Sequence, residues 1–138
     1  MLITRKVEFS ASHVCRLPGL PDAENEALYG PEAHPRGHGH NFSVEVTLEG
    51  EPDPVTGMVY DLKRLKQILH ERVVEPFDHR FLNLDVPPFD HVVPTLENIA
   101  VEIWRRLQPD LTAAGVRLYR VRVSDSDQTS VEVLGEPQ

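Results

Sequence analysis

The sequence has a single cysteine, little positive charge and no long run of apolar residues. One cysteine cannot form a disulfide within the chain, so we expect a reducing compartment, most simply the cytoplasm. Because no apolar run has membrane-spanning length and the N-terminus lacks a signal-peptide pattern, we expect no membrane association. Only 14 Lys and Arg stand against 22 Asp and Glu, which gives a formal net charge of −8. This charge argues against non-specific nucleic-acid binding.

What remains is the composition of one folded domain. The 138 residues are 40% hydrophobic and 26% charged, and no internal repeat or low-complexity tract is visible. A chain of this length can bury one sizeable core. We therefore treat residues 1–138 as a single domain.

Two long segments alternate apolar and polar residues with a period of two, which predicts half-buried strands. The first strand runs from about Leu2 to Ser12 and the second from about His38 to Glu49. Between them, the Pro/Gly-rich segment from Leu17 to Gly37 predicts a loop.

Two amphipathic helices are predicted in the second half of the chain. Asp61 is a suitable N-cap for a helix that ends before Pro76. Thr95 caps another helix, which Pro109 is expected to stop. The segment from Phe77 to His91 predicts a loop between the two helices.

The last segment predicts a hairpin, with Tyr119, Val121 and Val123 on one face of its first strand. The element order is therefore ββααββ, an α+β fold. Four strands cannot close a barrel alone and leave open sheet edges. Since open edges are usually covered or paired, we expect a homo-oligomer.

Three histidines hold matching positions on the two long strands. His38 and His40 extend the apolar face of the second strand, where residues two apart lie about 6.6 Å from each other. His13 falls in the same two-residue alternation as the apolar face of the first strand. If the two strands pair in antiparallel fashion, the end of the first strand lies beside His38 and His40. Three imidazoles around one ion, with a fourth position open, indicate a catalytic zinc site. The alternative is ordinary hydrogen-bonded histidines, which an isolated His-x-His pattern would favour.

Motifs over most of the chain resemble the 6-pyruvoyl-tetrahydropterin synthase family, which includes 6-carboxytetrahydropterin synthases. In chain order they are FSASH (9–13), GHGHNF (37–42), GMVYDLKRLK (57–66), FDHRFLN (77–83) and PTLENIAVEIW (94–104). The resemblance implies the tunnelling fold, in which three ββααββ subunits close a barrel and two trimers stack into a homohexamer. It also implies that His13, His38 and His40 hold Zn²⁺. The usual substrate of the family is 7,8-dihydroneopterin triphosphate, which loses triphosphate while its side chain is rearranged or cleaved.

The resemblance gives roles to four further positions. Asp78 and His79 match the family's Asp-His proton relay, which reaches in from a neighbouring subunit. Asp125 matches a glutamate that holds the amino group and ring N–H of the pterin, and we count it as both catalytic and substrate-binding; its side chain here is one methylene shorter. The alternative for Asp125 is a polar hairpin turn. Thr95 matches a further pterin-contacting position, although helix capping explains it equally well.

The sequence departs from the family at the catalytic cysteine, which stands six or four residues before the HGH motif. Those positions hold Glu32 and His34. Glu32 is our candidate for the general acid or base, and His34 is the alternative. A glutamate here resembles a subgroup that yields 6-hydroxymethyl-dihydropterin for folate synthesis. We interpret Cys15, the only thiol, as a buried structural residue, with a relocated nucleophile as the alternative.

Three functions compete on this sequence. The first is a zinc-dependent lyase that breaks carbon–oxygen or carbon–carbon bonds in dihydroneopterin triphosphate. The second is a non-catalytic tunnelling-fold protein that binds a pterin or purine, which the missing cysteine favours. The third is a protein with structural zinc, which the lack of an evident fourth protein ligand disfavours. Retention of the three histidines with Asp78 and His79 favours the first.

Overall fold

A computed structural model describes residues 1–135, in which five strands form one sheet in the order β3-β1-β2-β4-β5. The strands are β1 (Leu2–His13), β2 (His38–Glu49), β3 (Arg80–Phe81), β4 (Arg117–Ser124) and β5 (Ser130–Leu134). Neighbouring strands are antiparallel, except that β3 pairs with the end of β1 in parallel. The α+β class and the four predicted strands are confirmed. The short edge strand β3 is an addition, because it lies in a segment predicted as a loop.

The described part of the chain also contains five α-helices. They are α1 (Asp22–Tyr29), α2 (Leu62–Leu69), α3 (Glu75–Phe77), α4 (Leu82–Asp85) and α5 (Leu96–Ala113). A 3₁₀ turn, Gly30–Ala33, follows α1, and a π-helical turn, His70–Val74, joins α2 to α3. Within residues 1–135 no helix is long and apolar enough to cross a membrane.

The core lies between the sheet and the helices α2 and α5. Along β2, Phe42, Val44 and Val46 are fully buried, whereas Ser43 and Glu45 between them are only partly buried. The largest fully buried side chains on the helical side include Trp104, Phe77, Leu65, Ile99 and Ile103. The alternation of apolar and polar residues in the sequence therefore matches the alternation of buried and partly buried residues in the structure. It also determines which face of the strand carries the site.

Two predicted helix ends were wrong, both at prolines. The helix that begins after Asp61 continues without a break through the π-helical turn to Phe77, so Pro76 lies inside the helical run, directly after the wider π-helical turn. Helix α5 contains Pro109 and ends only at Ala113. Leu107 and Leu111 are buried on either side of that proline, so packing outweighs its cost of about 3 kcal/mol.

Two other local predictions were wrong. The segment predicted as a loop between β1 and β2 contains α1 and the 3₁₀ turn, and α1 buries only Asn25, so it has no apolar stripe to reveal it. The register between β2 and β4 shifts at Thr47 and Leu48, which makes Tyr119 the extra residue of a bulge. Leu118 is buried in its place, and Tyr119 does not share the core face of Val121.

Candidate metal centre

The pairing of β1 with β2 brings three histidines together at one rim of the sheet. His13 is directly opposite His38, and Ala11 is opposite His40. Opposed residues of an antiparallel pair point to the same face, so all three rings lie on the core side. The ring centroids of His13 and His38 are 4.5 Å apart, those of His13 and His40 5.2 Å, and those of His38 and His40 4.7 Å.

A fourth side chain, Glu32, reaches the same point from the 3₁₀ turn. Its Oε2 lies 2.7 Å from His38 Nε2 and 3.5 Å from His13 Nε2. One ligand atom from each of the four residues lies within 4.8 Å of every other. The turn is tied to the end of β1, because the Cys15 N–H donates to the Glu32 carbonyl at 2.8 Å. The structure therefore offers Glu32 as a candidate fourth ligand, which the sequence alone did not show.

The nitrogen atoms of these rings show whether a metal fits. His13 Nε2, both ring nitrogens of His38 and His40 Nε2 are buried and have no hydrogen-bond partner in the described part of the chain. The contact from Glu32 to His38 is short but lacks the direction of a hydrogen bond. Each unpartnered buried polar atom costs about 1–3 kcal/mol. Three imidazoles and one carboxylate that converge without bonding to each other suit Zn²⁺.

His13 is held in the state that a metal requires. Its Nδ1–H donates to the carbonyl oxygen of Pro94 at 2.7 Å, which leaves the Nε2 lone pair facing the other ligands. Burial lowers the pKa of the His13 imidazole, an effect larger than the opposing one of the Pro94 hydrogen bond, and nearby His38 lowers it further. A neutral imidazole is the form that coordinates metal.

Cys15 lies behind the ligand group. Its Sγ is 3.6 Å from the Pro94 carbonyl oxygen and 4.0 Å from His13 Nδ1. Burial raises the pKa of the Cys15 thiol to about 12, and the negative charge of Glu32 adds to the shift. The sulfur is therefore a protonated thiol rather than the thiolate that a nucleophile needs.

Asp78 and His79 form a pair at the sheet edge. His79 Nδ1 lies 2.7 Å from Asp78 Oδ2, while the other Asp78 oxygen accepts from the Ser10 N–H at 2.8 Å. The backbone N–H of His79 donates to the Ser10 carbonyl, and its φ of 60° lies in the left-handed region, which is uncommon for residues other than glycine. The His79 side chain is 82% exposed. It lines an open cleft of about 680 Å³ together with His40, but it does not join the four-residue ligand group.

The remaining candidates lie outside the ligand group. His34 is exposed, and its Nδ1 accepts from the Arg36 N–H at 3.2 Å, so of the two positions that replace the cysteine only Glu32 reaches the histidines. Thr95 is the N-cap of α5, with its hydroxyl accepting from the Asn98 N–H. Asp125 follows the last residue of β4 and is partly buried.

Two supports of the site had no sequence signal of their own. The Pro94 carbonyl is a backbone group, and nothing in the sequence marks which carbonyl a ring nitrogen will meet. The side chain of Asn83 accepts from the Val14 N–H at 2.8 Å and donates to the Val14 carbonyl at 2.9 Å, which fixes the chain just after His13. Asn83 lies inside one of the family-like motifs, but its spacing from β1 does not predict this contact.

Comparison with known proteins agrees with this geometry. The sequence profile of the 6-pyruvoyl tetrahydropterin synthase family matches residues 2–136. Human 6-pyruvoyl tetrahydrobiopterin synthase is 47% identical over 134 residues, which cover 97% of this chain and 91% of that protein.

Solved structures agree as well. A 6-pyruvoyl tetrahydropterin synthase from Caenorhabditis elegans superposes with a TM-score of 0.91 at 36% identity, covering 99% of this chain and 96% of that one. A Plasmodium vivax 6-pyruvoyltetrahydropterin synthase, described as a catalytic-residue mutant with alanine in place of glutamate, shares the fold. It has a TM-score of 0.62 at 21% identity and covers 96% of this chain and 97% of that one. The chain belongs to the 6-pyruvoyl tetrahydropterin synthase family, whose members are lyases of pterin biosynthesis.

Proposed function

We propose that this protein is a zinc-dependent lyase acting on 7,8-dihydroneopterin triphosphate, with Glu32 as its general acid or base. One observation carries the proposal: the Glu32 carboxylate lies against three converging histidines, whose buried nitrogens find no hydrogen-bond partner among residues 1–135. Family membership supports the pterin substrate.

His13, His38 and His40 would hold the ion, which when bound supplies Lewis-acid polarisation of the side-chain oxygens of the substrate. Glu32 takes a proton from the substrate side chain or returns one to it, because its carboxylate borders the ligand group and its side chain is 43% exposed. A group both exposed and next to the ligands can face substrate without moving far. Cys15 has no part in this chemistry, since it is buried and protonated.

The second half of the site comes from the other residues that match the family. Asp78 orients His79, whose exposed ring would serve the site of a neighbouring subunit in a homohexamer. Asp125 binds the amino group and ring N–H of the pterin, and Thr95 contacts the pterin while it caps α5. Because Asp125 is one methylene shorter than the family glutamate, the pterin sits closer or a water intervenes.

Glutamate in place of cysteine also bears on the product. We infer cleavage of the side chain to 6-hydroxymethyl-dihydropterin, which would serve folate synthesis in the cytoplasm. The Plasmodium vivax protein of the same fold is described as having a catalytic glutamate, which supports the role proposed for Glu32 as the acid or base. The side chain of the released pterin distinguishes this product from a 6-pyruvoyl or 6-carboxy product by mass.

The test is to incubate the zinc-loaded protein with dihydroneopterin triphosphate and to identify the products by mass spectrometry. We expect Glu32→Gln to lower turnover by about 10²–10⁴-fold and to leave the zinc content intact. Glu24→Gln, a matched change on exposed α1, should leave turnover unchanged. Full activity in Glu32→Gln would mean that the acid or base is another residue.

Two other outcomes would assign the competing functions. A wild-type protein that binds the pterin without converting it is a binding protein. Zinc that resists exchange in a protein inert toward pterins would indicate a structural site closed by Glu32, an arrangement that the four-residue ligand group permits.

A further inference from the structure

Asn98 stands apart from the residues already given a role. It is the third residue of α5, and its side chain turns back past the start of the helix. Its Nδ2 donates to the Val93 carbonyl at 2.8 Å, and its backbone N–H donates to the Thr95 hydroxyl at 3.2 Å. The residue therefore ties the helix to the three residues that precede it.

Those three residues form a tight turn. The Thr95 N–H donates to the Val93 carbonyl at 2.8 Å, the hydrogen bond from residue i+2 to residue i that defines a γ-turn. Pro94 is at its centre, where the proline ring restricts φ. The Val93 oxygen thus receives two donors, one from the turn and one from Asn98, and both of its lone pairs are used.

This turn decides where the Pro94 carbonyl points. The Pro94 oxygen takes no part in the α5 ladder and instead accepts from His13 Nδ1–H at 2.7 Å. A ligand histidine whose second nitrogen is held in this way has its tautomer and ring orientation fixed. Pro94 is buried, so water is not available to replace the contact.

We propose that Asn98 is a positioning residue of the metal centre. Its amide holds the Val93–Thr95 turn, the turn aims the Pro94 carbonyl at His13, and His13 is thereby set to coordinate through Nε2. This inference rests on the zinc site of the proposed function. It adds to that site an outer support that begins in α5.

The chemistry requires an amide at position 98. A glutamate or glutamine in the third position of a helix usually reaches back to the N–H of the N-cap residue. Here the Thr95 N–H is already donated to Val93, so that arrangement is excluded. The group to be satisfied is a carbonyl, which needs a donor. Aspartate has the shape of asparagine but offers no donor at neutral pH.

Asn98→Asp separates positioning from stability. A carboxylate in the first turn of a helix is favourable and offsets part of the loss of the hydrogen bond to Val93, so we expect the melting temperature of the metal-free variant to fall only slightly. We expect its zinc dissociation constant to rise about tenfold, the smaller of the effects known for outer supports of ligands. The measurements are competition with a chromophoric chelator and the visible spectrum of the Co²⁺-substituted protein, which should change with the geometry of His13.

Asn25→Ala is the matched control. Asn25 is fully buried and clamps backbone groups of Leu17 and Leu20, so its loss should lower the melting temperature while the zinc affinity stays as in wild type. Asn98→Ala, which removes the donor without adding charge, should weaken zinc binding like Asn98→Asp.

The proposal is overturned if the Asn98 variants keep the wild-type zinc affinity and Co²⁺ spectrum. It is also overturned if they lose zinc only in proportion to a loss of folded protein, since Asn98 would then be merely structural. A wild-type protein that binds no zinc would instead remove the proposed metal site itself, so the two failures are distinguishable.

Discussion

Gly37 offers a test of how closely the two ligand-bearing strands pack. It immediately precedes His38 and has a φ of +76°, a conformation that L-residues rarely adopt. A Cβ built on it would lie 3.2 Å from the His13 carbonyl oxygen and 3.3 Å from a methyl carbon of Val14. Alanine at this position therefore meets both a backbone penalty and the main chain of a ligand residue.

Gly57 allows the two costs to be separated. Its φ is +75°, but a Cβ there would have no atom within 4 Å. Gly57→Ala should therefore show the conformational penalty alone, about 1–2 kcal/mol. Gly37→Ala should cost about 1–3 kcal/mol more, because overpacking against a backbone atom cannot be relieved by rotating a side chain.

The assay is urea unfolding of both variants at one protein concentration, without and with zinc, together with the zinc dissociation constants. We expect the larger loss of unfolding free energy and the weaker zinc binding in Gly37→Ala, because the clash displaces the His13 carbonyl. Equal losses in Gly37→Ala and Gly57→Ala, with equal zinc affinity, would refute the close approach of these strands and its link to the metal.

Three further outcomes follow from the same site. Chelation of zinc should lower the melting temperature but preserve the β-sheet circular dichroism, since the core is complete without the ion; at zinc concentrations of 100 times the dissociation constant the lost stabilisation is about 2.7 kcal/mol. Cys15→Ala should keep full turnover, and the wild-type thiol, with its pKa raised to about 12 by burial, should react slowly with iodoacetamide at pH 8; fast labelling would contradict this. The backbone N–H of Ser10, and to a smaller extent His79, lowers the pKa of Asp78. The stability that the ionised Asp78 contributes is therefore complete above the unfolded-state pKa of about 3.9, and it is lost as the pH falls through the lower pKa of the folded state. Asp78→Asn should therefore lose less stability than wild type between about pH 5 and pH 2, and equal acid sensitivity in urea titrations would argue against the Ser10 contact.

The strands and the meeting of the three histidines could be predicted because one physical rule governs both. Side chains two apart on a strand share a face, so the buried stripe that ends in Phe9 and Ala11 carries His13 to the same side. Antiparallel pairing then places the end of β1 opposite the start of β2, where His38 and His40 lie. No loop geometry is needed for that step.

The rest of the site depends on where non-repeating segments cross the rim. Glu32 reaches the histidines because a 3₁₀ turn hydrogen-bonds to Cys15, and the Pro94 carbonyl reaches His13 because a γ-turn precedes α5. Neither contact produces a regular spacing of residues, so neither could be predicted from the sequence. Helix α1 was missed for a related reason, since hydrogen bonds from Asn25 hold it rather than an apolar stripe. The resemblance to a family identified Glu32 as a candidate, but it did not predict how far Glu32 lies from the three histidines.

The hydrophobic core packs directly against the candidate metal centre. The ring of Phe42 lies 5.4 Å from that of His40 and 5.7 Å from that of His13, both near-perpendicular, so the aromatic packing of the core passes directly into the ligand group. On the inner side this removes water from His13 and lowers its pKa, which keeps the imidazole neutral and free to coordinate. On the outer side the half-exposed Glu32 keeps contact with solvent. A ligand set built into the end of a hydrophobic stripe is therefore packed and dry on one side and open to solvent on the other, which suits the Lewis-acid role that we propose for the bound ion.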